Sequence, residues 1–314
     1  MVAVTSQIDQ STESYKTNRE SMLEFVERLR SLEARAQEAS GKRRATFEKR
    51  GQLLPNERLN RLLDPGMPFL RLHTLANFGV DDPDQETSIP GASLIVGIGF
   101  VGGVRCMIWV DDSGISAGAM TTKSGDVALS LQNICKQQKL PLIHLVESAG
   151  ANLLHYKVEL WSKFGAIFRN LAQMSAMGLP TLVVLHGGST AGGAYMPGMS
   201  DYVIGVKDNG MAALGGAALV RAATGEIAND RELGGTEMHA GVTGVVEYLV
   251  EDDSHGLLKA REVFERLDWN RRATPVRRLG YRTPRYDAED LAGAVPTDPK
   301  VPYDCRDVLA RVVD

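Results

Sequence analysis

The run Thr181-Leu182-Val183-Val184-Leu185 passes without a spacer into His186-Gly187-Gly188-Ser189-Thr190-Ala191-Gly192-Gly193-Ala194-Tyr195-Met196-Pro197, and this junction constrains the chain more than any other stretch. Aliphatic and β-branched residues with no polar interruption describe a buried strand. The four glycines that follow allow a backbone turn that residues with a Cβ resist. They also leave amide N–H groups uncovered, so an anionic oxygen can approach the main chain closely. Two readings stay open here: amides that hold a developing enolate oxygen, and a tight strand-to-helix turn without a ligand.

The same texture recurs upstream. Residues 93–99 and 105–110 read as two apolar strands joined through Phe100-Val101-Gly102-Gly103, a hairpin. Gly97-x-Gly99-x-x-Gly102 has the spacing of a dinucleotide fingerprint, but that motif works only when a helix follows the glycines, and here a strand does. After Asp111-Asp112 comes a small-residue turn over 113–119 and then a helix through Val127, Leu129, Leu131 and Ile134. Pro141 opens the strand 142–146, which ends in Glu147-Ser148-Ala149-Gly150-Ala151-Asn152. A helix from about Leu160 to Met177 carries Trp161, Phe164, Ile167, Phe168 and Leu171 on one side and stops at Gly178-Leu179-Pro180. Beyond the glycine stretch, 202–206 and 211–214 read as short strands, 217–224 as a helix stopped by Gly225, 245–250 as a strand and about 256–267 as a helix. Strand, small-residue loop and helix in repetition mean an α/β layered fold.

The flanks differ from this pattern. Met22, Phe25, Val26, Leu29 and Leu32 recur at helical spacing among charges, and a second helical stretch is expected from Arg35 to Lys49, so residues 1–50 read as a helical arm. That arm either docks on its own domain or a partner subunit, or lies solvated on the surface. Pro55 suits the first turn of a short helix that carries Leu59, Leu62 and Leu63 inward, and Asp64-Pro65-Gly66 ends it. Residues 51–267 form the main domain. Residues 268–314 shift to Arg271, Arg272, Arg277, Arg278, Arg282 and Arg285 mixed with Pro275, Pro284, Pro296, Pro299 and Pro302, a linker, with a short helix at 305–313.

With 314 residues, 43% of them hydrophobic, one large domain with attachments is expected. A net charge of −4 gives no global field for nucleic acid or an anionic membrane. Cys106, Cys135 and Cys305 share no metal-ligand spacing and are odd in number, which favours reduced thiols. The first residues lack the features of a signal peptide, and no run is long enough to span a bilayer, so a soluble protein of the cytoplasm or an organelle matrix is expected.

The chain resembles a known family over nearly its whole length: the carboxyltransferase (β) subunits of biotin-dependent acyl-CoA carboxylases of the propionyl-CoA and methylcrotonyl-CoA type, in particular their N-terminal domain. The resemblance runs through Lys49-Arg50-Gly51, Glu57-Arg58-Leu59, Leu63-Asp64-Pro65-Gly66, Glu147-Ser148-Ala149-Gly150-Ala151 and Thr190 to Pro197. It continues in Ala222-Ala223-Thr224-Gly225-Glu226, Glu232-Leu233-Gly234-Gly235 and His239. It implies an α/β crotonase-like (ClpP/crotonase) spiral of ββα units, and a trimeric or hexameric homo- or hetero-oligomer. It also implies a second carboxyltransferase domain or subunit, towards which residues 268–314 lead, and a biotin carboxylase/biotin carrier subunit as partner. Acyl-CoA is the implied substrate, biotin the implied cofactor, carried by the partner, and no metal is expected.

Carried over residue by residue, the resemblance makes Gly192 and Gly193 the oxyanion hole, and Gly150, Ala151 and Ala194 acyl-CoA contacts. Carboxyl transfer to the α- or vinylogous carbon of a thioester passes through an enolate, and two backbone donors answer its charge without a titratable side chain. In the family's mechanism biotin itself removes the α-proton, so no protein base is needed. Rival readings are a non-catalytic acyl-CoA-binding or scaffolding paralogue, and a partner-independent hydratase, isomerase or decarboxylase acting through Glu147. Ser189 has part of a nucleophile elbow, without its last glycine. His186 and His144 read as structural, hydrogen-bonded residues. The chain departs from the family at Ala149-Gly150, where two glycines are common, at Ala217-Ala218, where prolines are, and at Gly125-Asp126, where lysines are.

Overall fold

A computed structural model of the chain describes residues 4–151, 158–272 and 282–313. Asn152, Pro275, Arg277 and Arg278, named above, lie outside the described residues, as does the Arg272 side chain. The chain divides into two compact units, Glu33–Thr274 and a second built from Met1–Leu32 with Pro275–Asp314. The larger holds one sheet of eight strands: β1 (Leu70–Leu72), β2 (Leu94–Val101), β3 (Val104–Asp111), β4 (Leu142–Ser148), β5 (Thr181–Thr190), β6 (Tyr202–Val206), β7 (Met211–Ala213) and β8 (Tyr248–Val250). The helices are α1 (Glu13–Gly41), α2 (Arg44–Lys49), α3 (Pro55–Leu62), α4 (Ser124–Gln138), α5 (Val158–Ala176), α6 (Tyr195–Gly198), α7 (Ala217–Thr224), α8 (Asp230–Gly234), α9 (Thr236–Met238), α10 (Asp253–Arg266), α11 (Trp269–Arg272), α12 (Leu291–Ala294) and α13 (Cys305–Val312).

Strand order is β1-β2-β3-β4-β5-β6-β8, with β7 beside the last residues of β5. The β1, β2 and β3 pairings are antiparallel and every later one is parallel. Strands β3, β4 and β5 therefore release the chain at one edge of the sheet, the edge where open α/β sheets hold their ligands. Side chains along β4 alternate between faces: His144, Val146 and Ser148 meet residues of α5 across a cavity, and Glu147 meets α3. Leu131, Ile143, Leu145, Val184, Leu185, Ile204 and Phe264 are fully removed from solvent, and each such side chain contributes about 1.5–3 kcal/mol of burial.

The hairpin and helices α4, α5, α7 and α10 follow the expected pattern, their ends shifted by up to a few residues. The glycine stretch differs. β5 runs on to Thr190, so Gly187 and Gly188 are strand residues and not part of a turn. Between the pairs Val146↔Leu185 and Ser148↔Ser189, β4 advances two residues (146 to 148) and β5 four (185 to 189), so the glycines sit in a bulge. Close approach explains Gly187, since a Cβ there would lie 2.5 Å from Glu147 Cγ. The left-handed residue of the following turn is Ala191, with φ +53°. The first helix continues unbroken to Gly41, and the last strand is confined to Tyr248–Val250.

In the smaller unit, the described part of the stretch expected as a linker carries α12 and α13. Arg311 there is buried and pairs with Asp290 and Asp307, and the Tyr15 ring packs on Gly293. Of the apolar stripe on α1, Leu32 is buried while Phe25 and Leu29 are exposed. Among the described residues no helix is long and apolar enough to cross a membrane.

Candidate functional site

Loops that leave β3, β4 and β5 are stitched to one another by main-chain and hydroxyl hydrogen bonds. After β3, Ser116, Ala117 and Gly118 turn with φ of +49°, +54° and +68°. Such angles cost a residue with a Cβ about 1–2 kcal/mol each and persist where the surroundings over-determine them. Here they do: Ala149 N–H donates to the Ala117 carbonyl (3.0 Å), Met120 N–H to that of Gly150 (2.8 Å) and Ser148 Oγ to that of Gly118 (2.7 Å). A Cβ on Gly118 would lie 2.4 Å from the Glu147 carbonyl oxygen, so only glycine fits. Thr190 Oγ1 donates to the Ala149 carbonyl at 3.4 Å and ties in the third loop.

These loops border a cavity of about 210 Å³. Gly192, Gly193 and Ala151 line it. Gly192 and Gly193 belong to a 3₁₀ turn, Ala191–Ala194, whose leading N–H groups have no partner within the turn. Gly150 lies beside Ala151, with its N–H donated to Ser148 Oγ (3.1 Å) and its carbonyl taken by Met120. Ala194 borders a neighbouring, more open recess of about 510 Å³, together with Tyr195, Ala212 and Leu214.

Trp161, Phe164 and Phe168 from α5, with Met120, Trp109 and Met196, make the cavity walls apolar. The ring of Phe164 lies over Gly125 of α4, where a Cβ would stand 1.6 Å from Cε1. This accounts for a glycine at that departure from the family pattern. Asp126 beside it pairs with Lys123 and Lys163.

Trp109, Asp111 and His144 also line the cavity, which local sequence did not reveal. Trp109 and His144 are register partners on β3 and β4, and their rings stack at 3.9 Å. Asp111 Oδ1 accepts from Trp109 Nε1 (2.9 Å) and His144 Nε2 (3.1 Å), and Oδ2 accepts from the Glu147 amide (3.2 Å). His144 is thus the hydrogen-bonded strand residue expected. The usable signal was parity: 109 and 111, then 144, 146 and 148, share one face of adjacent strands.

Glu147 points to the opposite face of the sheet. The buried Arg58 donates from Nη1 to Glu147 Oε2 (2.6 Å) and from Nε to Asp253 Oδ2 (2.8 Å). Asp253 Oδ1 in turn meets His186 Nδ1 at 2.7 Å. Glu147 and His186 directly precede the loop and the bulge at the site, so one guanidinium anchors both. Burial pushes the His186 pKa down, against the opposing pull of Asp253. Burial alone would raise the Asp253 carboxyl, but His186 and Arg58 outweigh it and hold that carboxyl well below its usual range. A carboxylate held by Arg58 away from the cavity is not placed to act as a base on a ligand within it.

The family model described as the carboxyl transferase domain matches residues 47–314. The biotin-dependent 3-methylcrotonyl-coenzyme A carboxylase beta1 subunit of Mycobacterium tuberculosis is 40% identical over 274 residues, 84% of this chain and 50% of that protein. The mitochondrial methylcrotonoyl-CoA carboxylase beta chain of Dictyostelium discoideum is 36% identical, over 98% of this chain and 52% of its own length. Among solved structures, the beta subunit of P. aeruginosa geranyl-CoA carboxylase superimposes with a TM-score of 0.90 at 44% identity, over 99% of this chain and 57% of that one. The chain spans about half the length of the curated relatives it matches.

Proposed function

The chain belongs to the carboxyl transferase domain family, and on that premise we propose that it is the acyl-CoA half of a biotin-dependent carboxyltransferase. The observation that carries this reading is convergence: the Gly192-Gly193 turn and Ala151, after β4, border one aromatic-walled cavity at the carboxyl edge of the sheet. An acyl chain fits the apolar walls, and the thioester oxygen falls to the paired amides. As the α- or vinylogous carbon loses its proton, charge gathers on that oxygen, and preorganised donors hold it without reorganisation. One such donor lowers a barrier by about 3 kcal/mol. The apolar walls exclude water and strengthen those hydrogen bonds.

Biotin, carried by a partner, supplies the carboxyl group when bound. The recess beside Gly193 suits it, because Ala194, Ala212, Ala213 and Gly215 leave room for a bicyclic ring and Leu214 offers an apolar contact. The strand–loop–helix succession is that of a crotonase-like spiral. Exposed Leu214, Leu219, Ile227 and Val242 on the larger unit, and Phe25 and Leu29 on the smaller, support oligomer formation and contact with a second carboxyltransferase domain. We place the protein in the cytoplasm or an organelle matrix.

The test is incubation with acyl-CoAs, ATP and bicarbonate, with and without a partner that supplies biotin carboxylase, biotin carrier and the second carboxyltransferase domain. Carboxylated acyl-CoA formed only with the partner is the expected result. Binding without turnover would make the chain a non-catalytic acyl-CoA binder, and turnover without the partner would contradict both.

A further inference from the structure

We propose that the Ser189 hydroxyl is a third donor to the acyl oxygen, beside the Gly192 and Gly193 amides, and hence a catalytic residue. The inference rests on the acyl-CoA reading of this cavity. Ser189 is fully buried, lies just beyond the Gly187-Gly188 bulge, and lines the cavity together with both glycines. Its Oγ has no hydrogen-bond partner among the described residues. A buried hydroxyl left unmet is costly, so one that persists against a cavity marks the place of a polar ligand atom.

Other polar side chains on this cavity are already engaged within the protein. Ser124 Oγ donates to the Ala92 carbonyl at 2.8 Å and Ser148 Oγ to that of Gly118, while Asp111 and His144 bond each other. Ser189 is left to meet the ligand. A Cβ on Gly193 would lie 2.8 Å from Ser189 Oγ, so hydroxyl and glycine border the same small space, and the absent side chain keeps it open. The surrounding walls are mostly hydrocarbon and their other polar groups are engaged, which leaves the oxygen of an acyl group as the polar atom to be met there.

A donor role also fits better than a nucleophilic one. A serine nucleophile needs a base to accept its proton. An unpartnered hydroxyl has none, and no acyl-serine step is assigned. Donation to an oxygen whose negative charge grows requires only that the O–H point at it.

The test compares wild type with Ser189→Ala for calorimetric binding of two ligands that differ in the carbonyl alone: a short-chain acyl-CoA thioester and the corresponding S-alkyl-CoA thioether. The expected result is about tenfold weaker binding of the thioester with thioether binding unchanged. Ser189→Cys, which keeps the side chain's shape and weakens the donor, is expected to show the same selective loss. Equal binding of both ligands by wild type and variants, or equal losses on both, would overturn the donor role while the acyl-CoA reading stands. Failure of wild type to bind either ligand would overturn that reading and the Ser189 role with it.

Discussion

Asp112, directly after β3, accepts from Ser40 Oγ at 2.6 Å, and burial pushes its pKa up to about 6 against the pull of Ser40, Gly114 and Arg58. In an unfolded chain the same carboxyl titrates near 3.9, so the fold favours its protonated form. Stability from this group is full below about pH 4 and is lost as pH rises through about 6, a swing of at most roughly 3 kcal/mol. Asp112→Asn keeps an acceptor for Ser40 and removes the charge. It is expected to flatten the fall in unfolding free energy over that pH window, as read by urea denaturation. A variant that tracks the wild-type pH profile would refute this. Legibility at this scale was uneven. The four-glycine stretch was noticeable locally, but Gly192 and Gly193 were singled out within it only by the family resemblance. The roles of Asp112 and Trp109, and the place of His144 on the cavity, did not show, because they depend on Ser40 or on the β3–β4 register, both distant in sequence.

Arg58 shows what an element contributes beyond its own turn. Helix α3 was readable from Pro55 and the inward leucines, yet nothing local told that Arg58 would be wholly buried between Glu147 and Asp253. Removing one member of a buried ion network leaves uncompensated charge and costs about 3–5 kcal/mol. Arg58→Met is therefore expected to lower the thermal midpoint by several degrees and to reduce kcat more than it raises KM, because both loops lose their anchor. Unchanged thermal stability would contradict the account. Long helices were legible because a 3.6-residue period needs only a few turns to show itself. Strand β1 was not, since three residues make no period, and β8 was legible as a strand but over a longer run, 245–250, than its three residues. The β5 bulge was hidden for another reason: glycine permits a turn and a close approach alike, and only Glu147 across the strand pair decides between them.

At the scale of the whole molecule, every described residue that lines the cavity belongs to the larger unit, and the smaller unit holds the first and last stretches of the chain. Composition suggested a linker after residue 268 because Arg and Pro dominate it. The packing of Tyr15 on Gly293 joins residues near opposite ends of the chain, and the Arg311–Asp290 pair spans 21 residues, both beyond a local window. The central claim is that the Gly192-Gly193 turn holds the acyl oxygen. It is tested most directly by following transfer of labelled carboxyl from a biotin-bearing partner to acyl-CoA with wild type and Gly193→Val. The new Cβ would press on Ser189 Oγ at the cavity, away from the main core. The account predicts at least a ~10²-fold loss of transfer with little change in thermal unfolding. Transfer at the wild-type rate by a folded Gly193→Val would contradict it.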